Sequence, residues 1–294
     1  MHSQKKAFLF AFAAIACWST VGSAFKISLR YLNPLWLLLI SSFVACVALF
    51  IMLAVQGKLP LLRAITGKQI LVSAFLGFLN PFLYYLVLLK AYSILPAQMA
   101  GTLNYIWPLI LVLLSIPMLG QKISFVSIFA ILISFAGIIL ISFPRQGASA
   151  LMGRGDPVGV GLAVGSAVFW AFYWIFNVKD QREAVSKLFL NFCFGFIYTL
   201  ITATIFRDFS MPGWQGFTGG IYIGLFEMGI TFVLWLNALK YSLTTAKVSN
   251  LIYISPFISL IIIHFIVGET ILLSTIMGLA LIVSGILMQQ YLKK

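Results

Sequence analysis

The amino-acid sequence predicts an all-α integral membrane protein in which ten transmembrane helices form two inverted five-helix repeats around a central cavity. Three observations predict this fold class. The mean hydropathy is +1.08, and 62% of the 294 residues are hydrophobic whereas only 9% are charged. The apolar runs are about 20 residues long, which is the length that crosses the hydrocarbon layer of a bilayer. The two halves of the chain also carry Gly, Pro, Tyr and Trp residues at matched positions.

Apolar runs and the Pro and Gly residues between them define the predicted helices in chain order. They cover residues 7–25, 35–55, 70–89, 96–119 and 123–143 in the first half, and 158–178, 188–206, 214–239, 245–267 and 271–291 in the second. Residues 1–143 therefore form the first repeat, residues 144–157 a Gly- and Pro-containing connecting loop, and residues 158–294 the second repeat. The first apolar run is too long for a cleaved signal peptide, so we expect a retained helix.

The basic residues predict how the helices are oriented. Thirteen Lys and Arg residues fall at one end of the predicted helices and six at the other, which together make up the 19 in the chain. Because basic residues accumulate in loops that stay in the cytoplasm, both termini are expected there, in a multi-pass protein of the bacterial plasma (inner) membrane. This distribution also accounts for the net charge of +13, so no nucleic-acid partner is expected.

Matched residues in the two halves indicate an internal duplication. At a spacing of 148 residues, Tyr105 pairs with Tyr253 and Pro108 pairs with Pro256. Further pairs, at spacings of 147 to 152 residues, are Gly120 and Gly268, Gly137 and Gly285, Trp18 and Trp170, Gly77 and Gly224, and Asn80 and Glu227. An odd number of helices in each repeat forces the second copy to enter the membrane upside down. Such inverted repeats place a substrate site at the repeat interface, near the midplane of the bilayer.

The segment from Ala246 to Gly285 resembles the closing part of an EamA repeat, which belongs to the drug/metabolite transporter superfamily. The matching positions are Ala246, Pro256, the pair Gly268-Glu269 and Gly285 in the second half, Ala97, Pro108, Gly120-Gln121 and Gly137 in the first, and Cys17-Trp18-Ser19 in the first helix. Gln121 departs from the pattern, which has Glu there, so we expect the Gly-Glu pair to be structural and Glu269 to be solvated at a helix end. The resemblance implies ten helices, a central cavity and movement of small organic metabolites, often outward.

Glu227 is the leading candidate for a functional residue. It lies in the apolar stretch 221–237, and an ionisable side chain at bilayer depth costs about 2.5–3.5 kcal/mol or more, so such residues usually face the protein interior. Desolvation favours the neutral acid, which makes proton exchange feasible. Gly216, Gly220 and Gly224 on the same helix predict close packing on a neighbour. The alternative is a neutral, hydrogen-bonded acid that only fixes helix packing.

Asn80 is the repeat counterpart of Glu227, and it precedes Pro81, which frees a backbone carbonyl one turn earlier. We expect Asn80 and Glu227 near a shared site. Aromatic rings beside a carboxylate suit an organic cation or an aromatic amino acid. The predicted cavity residues are Trp18, Asn80, Tyr84, Tyr105, Trp170, Tyr173, Glu227, Thr231, Asn250 and Tyr253, and Glu227 is also expected to carry a coupling proton. Ordinary helix packing is the alternative for each of them.

The sequence contains no motif for hydrolysis, ATP binding or metal binding, so neither an enzyme nor a cofactor is expected. Together with the resemblance, the duplication predicts a secondary transporter, expected to be an exporter, that moves a small organic metabolite or drug by alternating access. An uncoupled facilitator or exchanger of amino acids or related metabolites is left open, as is, more remotely, a membrane enzyme or sensor. The expected partners are a small-molecule substrate, the lipid bilayer and protons. Neither the substrate nor the oligomeric state follows from the sequence.

Overall fold

The structure is a computed structural model that describes residues 3–119, 125–142, 156–206, 213–242 and 250–291. Most of the predicted connection, residues 144–155, lies outside these ranges, as do Gly120, Gln121 and Ala246 of the EamA-like pattern. The described residues form helices joined by short turns. The helices are α1 (Gln4–Ser28), α2 (Pro34–Val55), α3 (Pro60–Arg63), α4 (Gly67–Gly77), α5 (Tyr84–Ile94), α6 (Ala97–Asn104), α7 (Trp107–Leu119), α8 (Phe125–Ser142), α9 (Pro157–Lys179), α10 (Ala184–Ile205), α11 (Trp214–Ile223), α12 (Ile230–Tyr241), α13 (Ser255–Val267) and α14 (Leu273–Tyr291).

Six apolar spans in the described residues have the length and composition needed to cross a membrane. They are Gln4–Ser28, Pro34–Val55, Gly67–Ile94, Pro157–Asn177, Ala184–Ile205 and Trp214–Ala238. Three shorter apolar helices are Phe129–Ile141, Leu251–Val267 and Leu273–Met288. Large apolar side chains point outward from several of these helices; Phe265 is 78% exposed and Leu71 is 72% exposed. An exterior of this kind is stable against lipid rather than water, so the structure is that of an integral membrane protein.

Two of the long spans are interrupted at positions that the sequence alignment pairs. Phe78–Leu83 separates α4 from α5, and Asn80 within it has an extended backbone (φ −151°, ψ 121°). Pro81 explains this break, because proline has no N–H to donate and its ring clashes with the preceding turn. Gly224–Gly229 separates α11 from α12, and Gly229 departs from helical geometry (φ −97°, ψ −86°). The predicted helices 70–89 and 214–239 are therefore each divided in two, around Asn80 and Glu227.

A second pair of interruptions surrounds the matched tyrosines. Tyr105 follows the last residue of α6, and α7 begins two residues later with Pro108 in its first turn. In the other half, Asn250–Ile254 forms a 3₁₀ helix that contains Tyr253, and α13 follows with Pro256 in its first turn. Proline is well placed in the first turn of a helix, where its missing N–H has no helical partner in any case. The predicted helix 96–119 is thus also two helices.

The start of α10 differs from the prediction. The helix begins at Ala184, four residues before the predicted start at residue 188, because Glu183 caps it by accepting a hydrogen bond from the Ser186 backbone N–H at 2.8 Å. Charged residues suggested that this segment was a loop. Instead, Lys187 lies in the first turn with its ammonium group buried and donating to the Asn177 carbonyl oxygen at 2.9 Å.

Helices from the two halves of the chain interleave. α2 packs along α10, and α8 packs along α14. α1 contacts α12 and α13, whereas α9 contacts α5 and α7. When the two halves are aligned by their sequence spacing, α1 corresponds to α9, and the contacts of α1 with α12 and α13 correspond to those of α9 with α5 and α7. The α2–α10 and α8–α14 contacts each join a helix to its own counterpart in the other half.

Small residues allow the closest helix contacts, as the sequence predicted for α11. A Cβ atom added at Gly220 would lie 2.6 Å from Ile40, and one added at Gly224 would lie 2.6 Å from the Ser41 carbonyl oxygen. Gly216 meets Leu32 in the same way. α11 can therefore lie directly on α2, and this contact fixes the position of the break that carries Glu227.

Candidate functional site

A cavity of ≈ 140 Å³ lies inside the helical bundle, between α1, α5, α6, α9, α13 and the break at Gly224–Gly229. A single water needs about 10–15 Å³ of such space, so this cavity is large enough for a small organic molecule. It extends from the middle of the bundle toward the end at which α1 and α13 finish and α6 begins. Five of the predicted residues line it: Trp18, Tyr84, Tyr105, Trp170 and Glu227.

Glu227 is the one carboxylate among the described residues that line the cavity. The side chain is 8% exposed, and the Tyr85 hydroxyl donates a hydrogen bond to Glu227 Oε1 at 2.8 Å. Glu227 Oε2 has no hydrogen-bond partner among the described residues. The second oxygen therefore keeps its capacity to bind a proton, an ammonium group or a hydroxyl that enters the cavity.

Aromatic rings form the wall of the cavity around Glu227. The rings of Trp170 and Tyr84 lie 4.6 Å apart between centroids, and Trp107 meets Trp170 edge-on at 6.4 Å. Trp18 packs edge-on against Phe232 at 6.3 Å. Such rings offer flat apolar faces for stacking and a negative π-surface that attracts cations.

A chain of hydrogen bonds ties the aromatic wall to α6 and α9. Tyr84 donates to Asn104 Oδ1 at 3.2 Å, and Asn104 Nδ2 donates to Ser166 Oγ at 2.8 Å. Tyr105 donates to the Ile252 carbonyl oxygen at 2.5 Å, across to the segment that leads into α13. Asn104 and Trp107 were absent from the predicted set. Asn104 could have been found, since it lies seven residues after Ala97 and three after Gly101, on the cavity face of α6.

Asn80 and Tyr173 lie apart from the cavity, in a second buried polar group that we call the amide cluster: Asn80, Tyr173, Asn177 and Asn191. The side chains of the three asparagines lie around the Tyr173 hydroxyl. The amide oxygen and the amide nitrogen of both Asn80 and Asn191 have no hydrogen-bond partner among the described residues, and neither does the Tyr173 hydroxyl. The sequence placed Asn80 beside Glu227, but its extended backbone turns the side chain toward α9 and α10 instead. A cavity role for Asn80 and Tyr173 stays a prediction.

Thr231 and Tyr253 lie beside the cavity rather than on its wall. Thr231 donates to the Phe226 carbonyl oxygen at 2.5 Å, so it satisfies a backbone group that the break leaves free. Tyr253 meets Tyr105 edge-on, with ring centroids 6.5 Å apart. Asn250 begins the 3₁₀ helix before α13, and its side chain lies outside the described part of the chain.

Glu269 lies behind Ala97 and Gln98, which line the cavity, and it is not solvated, contrary to the expectation. It is 7% exposed, and its two oxygens accept hydrogen bonds from the backbone N–H groups of Ala97 at 2.7 Å and Gln98 at 3.1 Å. It thereby caps α6 from the opposite half of the chain. Gln98 strengthens the junction, because its amide nitrogen donates to the Thr270 carbonyl oxygen at 2.7 Å.

The fold and the cavity define a multi-pass membrane transporter of small molecules, and the comparisons with known proteins agree. The sequence profile of the EamA-like transporter family matches residues 5–143 and again residues 157–289. The chain belongs to this family, and hence to the drug/metabolite transporter superfamily.

Relatives with curated descriptions are transporters too. The chain is 26% identical over 290 residues to the "Uncharacterized transporter YvbV" of Bacillus subtilis (strain 168), covering 96% of this chain and 90% of that protein. It is 23% identical over 158 residues to the "Aromatic amino acid exporter YddG" of Ancylobacter novellus, covering 53% and 54% of the two chains. One crystal structure superposes with a TM-score of 0.68 over 99% of this chain and 100% of that chain, at 21% identity, which shows a shared fold.

Proposed function

We propose that the protein is a secondary transporter that exports small organic molecules with an aromatic part and an amino group across the plasma membrane by alternating access. The proposal rests on one observation above all. The buried carboxylate of Glu227, whose Oε2 has no hydrogen-bond partner among the described residues, lines a cavity walled by indole and phenol rings. An ammonium group would pair with the carboxylate while the aromatic part of the substrate stacks on the rings. Aromatic amino acids fit this chemistry, and one relative is described as an exporter of them.

The architecture that we propose for this function is ten transmembrane helices in two inverted repeats. The symmetric helix contacts, the paired breaks at Phe78–Leu83 and Gly224–Gly229 and the two separate family matches all support it. The excess of basic residues at one end supports cytoplasmic termini. Alternating access then consists of rearranging the two halves about the shared centre.

Coupling to protons is the finer part of the proposal. Glu227 would bind a proton and an ammonium group in turn, because the low dielectric of the cavity disfavours a free carboxylate once the cationic substrate has left. Exchange of one for the other would drive export by the proton gradient. The rival candidate is an uncoupled facilitator or exchanger in which Glu227, held by Tyr85, contributes packing alone.

Uptake into proteoliposomes under an imposed pH gradient, with labelled phenylalanine, tyrosine and tryptophan, tests this function. We expect the gradient to drive accumulation by the wild type and Glu227→Gln to abolish that response. Asp156→Asn is the matched control, since Asp156 is an exposed cap of α9 and asparagine caps helices equally well. Full gradient-driven transport by Glu227→Gln would remove the coupling role. Flux by the wild type that is independent of pH would establish the facilitator instead.

A further inference from the structure

A groove of ≈ 760 Å³ runs between the beginning of α4 and the end of α9, on the surface of the protein and away from the cavity. We call it the α4–α9 groove. Its walls are apolar and include Leu71, Val72, Phe75 and Phe176. Leu71 is 72% exposed and Phe75 is 47% exposed. Val72 and Phe176 are half-buried, and the ring of Phe176 packs edge-on against Phe75 with centroids 5.2 Å apart, so Leu71 and Phe75 are the side chains that the described part of the chain leaves most open.

The rim of the groove is cationic. Lys68, Lys179 and Arg182 line it together with one carboxylate, Asp180, which leaves two positive charges in excess. Lys68 and Lys179 are exposed, and the described residues give neither lysine a hydrogen bond or an ion pair. Such charges, placed beside an apolar wall, attract an anion that carries an apolar part.

Asp180 does not neutralise the two lysines, because Arg182 already occupies it. Arg182 Nε lies 3.0 Å from both carboxylate oxygens of Asp180, and Nη2 lies 2.6 Å from Oδ2. Burial alone would raise the pKa of Asp180, but the hydrogen bonds and the charge of Arg182 hold it below its usual value. The ion pair is therefore complete at neutral pH.

The same ion pair fixes Arg182 at the base of the groove. Its side chain is 10% exposed, and Nη2 also donates to Ser73 Oγ at 2.8 Å. Nη1 has no partner among the described residues. Lys187 is buried behind Asp180, and its ammonium group donates to the Asp180 carbonyl oxygen at 2.9 Å, so it adds a further cation to the local field.

The position of the groove identifies the kind of ligand. Lys68 lies at the start of the apolar span Gly67–Ile94, and Lys179 lies two residues past the end of the span Pro157–Asn177. The charges thus lie where both helices leave the hydrocarbon layer, while Leu71 and Phe75 lie deeper within it. A soluble anion would pair with the lysines but leave the apolar wall uncovered. A neutral lipid would cover the apolar wall but leave the lysines without an anion.

We infer that the α4–α9 groove binds an anionic diacyl phospholipid, with its phosphate at Lys68 and Lys179 and an acyl chain along Leu71, Val72 and Phe75. The site is independent of the transported substrate. A lipid held there would contact α4, which ends at the break that contains Asn80, and α9, which carries Trp170 on the cavity wall. The lipid composition of the membrane would then influence the movement of these two helices.

Titration of the purified full-length protein with mixed micelles tests this site. The micelles contain dioleoylphosphatidylglycerol, or dioleoylphosphatidylcholine with the same acyl chains. The double variant Lys68→Gln/Lys179→Gln should weaken binding of the anionic lipid about fivefold for each lysine, or about 25-fold for the pair, and leave the neutral lipid unaffected. The matched control is Lys90→Gln/Lys240→Gln, which removes two exposed lysines outside the groove and should change binding less than about twofold.

Three results would overturn the inference. Equal weakening by the two double variants would show a general effect of surface charge. Equal affinity of the wild type for the two lipids would exclude recognition of the headgroup. Competition by inorganic phosphate or glycerol phosphate at the concentration of the lipid would show a site for soluble anions, in which the acyl chains take no part.

Discussion

Gly195→Ala tests the contact between α10 and the break in the first half of the chain. A Cβ atom at this position would lie 2.5 Å from Pro81 Cδ and 3.1 Å from the Gly77 carbonyl oxygen. Neither neighbour can move easily, because one is a proline ring and the other is backbone. The extra methyl group must therefore separate α10 from Phe78–Leu83, the segment that carries Asn80.

The expected cost follows from this crowding. Overpacking a tight interior by one methyl group typically costs about 1–3 kcal/mol, and a neighbour that cannot rotate places Gly195→Ala at the upper end of that range. Gly165→Ala is the matched control, because Gly165 also lies within a long apolar helix but has no atom within 4 Å of an added Cβ. Replacing such a glycine by alanine should stabilise the helix by about 0.5–1 kcal/mol.

Thermal unfolding of the two variants in the same detergent decides the question. In soluble domains of 150–250 residues, 1 kcal/mol corresponds to about 2–4 °C in Tm, so Gly195→Ala should unfold roughly 4–12 °C below the wild type and Gly165→Ala about 1–4 °C above it. Equal Tm values for the two variants would refute the close contact between α10 and Pro81. Circular dichroism at low temperature verifies that both variants start from the same helix content.

Two further predictions concern single side chains. Tyr85→Phe removes the hydroxyl that donates to Glu227 and should lower the unfolding free energy by about 1–3 kcal/mol, whereas the same change in a Glu227→Gln background should cost clearly less if the bond is to the carboxylate. Burial would raise the pKa of Glu183, but hydrogen bonds from Lys58 and the backbone, with the charge of Lys58, lower it. The stability that Glu183 contributes to the folded protein should therefore be complete above a pH of about 4.5, the pKa of this group in the unfolded chain. It should be lost as the pH falls through the lower pKa of the folded state. Glu183→Gln should remove this pH dependence in thermal scans and cost less than about 1 kcal/mol at pH 7, since Lys58 and Glu183 are 34% and 27% exposed.

The most useful prediction from the sequence was the position of Glu227. A carboxylate in an apolar helix has to be turned inward, and that argument requires no knowledge of the neighbouring helices. The matched prolines and glycines lie at the segments where the helices are interrupted, although the sequence predicted continuous helices there. These features are local, because each depends on what one residue type does to its own turn of helix.

The partner of Glu227 could not be predicted in the same way. Tyr84 and Tyr85 are adjacent in sequence, and the choice between them depends on how far Phe78–Leu83 rotates α5 about its axis. Tyr84 lines the cavity, whereas Tyr85 donates to Glu227. Glu269 shows the same limit, since its partners at Ala97 are 172 residues away and no local pattern connects the two.

The amide cluster has a further meaning if the halves are the inverted repeats that we propose. At the spacing of 152 residues that pairs Trp18 with Trp170, Tyr173 corresponds to Val21 and Asn177 to Phe25. At the spacing of 147 residues, Asn80 corresponds to Glu227. These three counterparts all line the present cavity. Alternating access exchanges the arrangements of the two halves, so the cavity that opens at the opposite end would be lined by Asn80, Tyr173 and Asn177. Each of the three has a polar atom without a hydrogen-bond partner in the described part of the chain, and these atoms would then face the substrate.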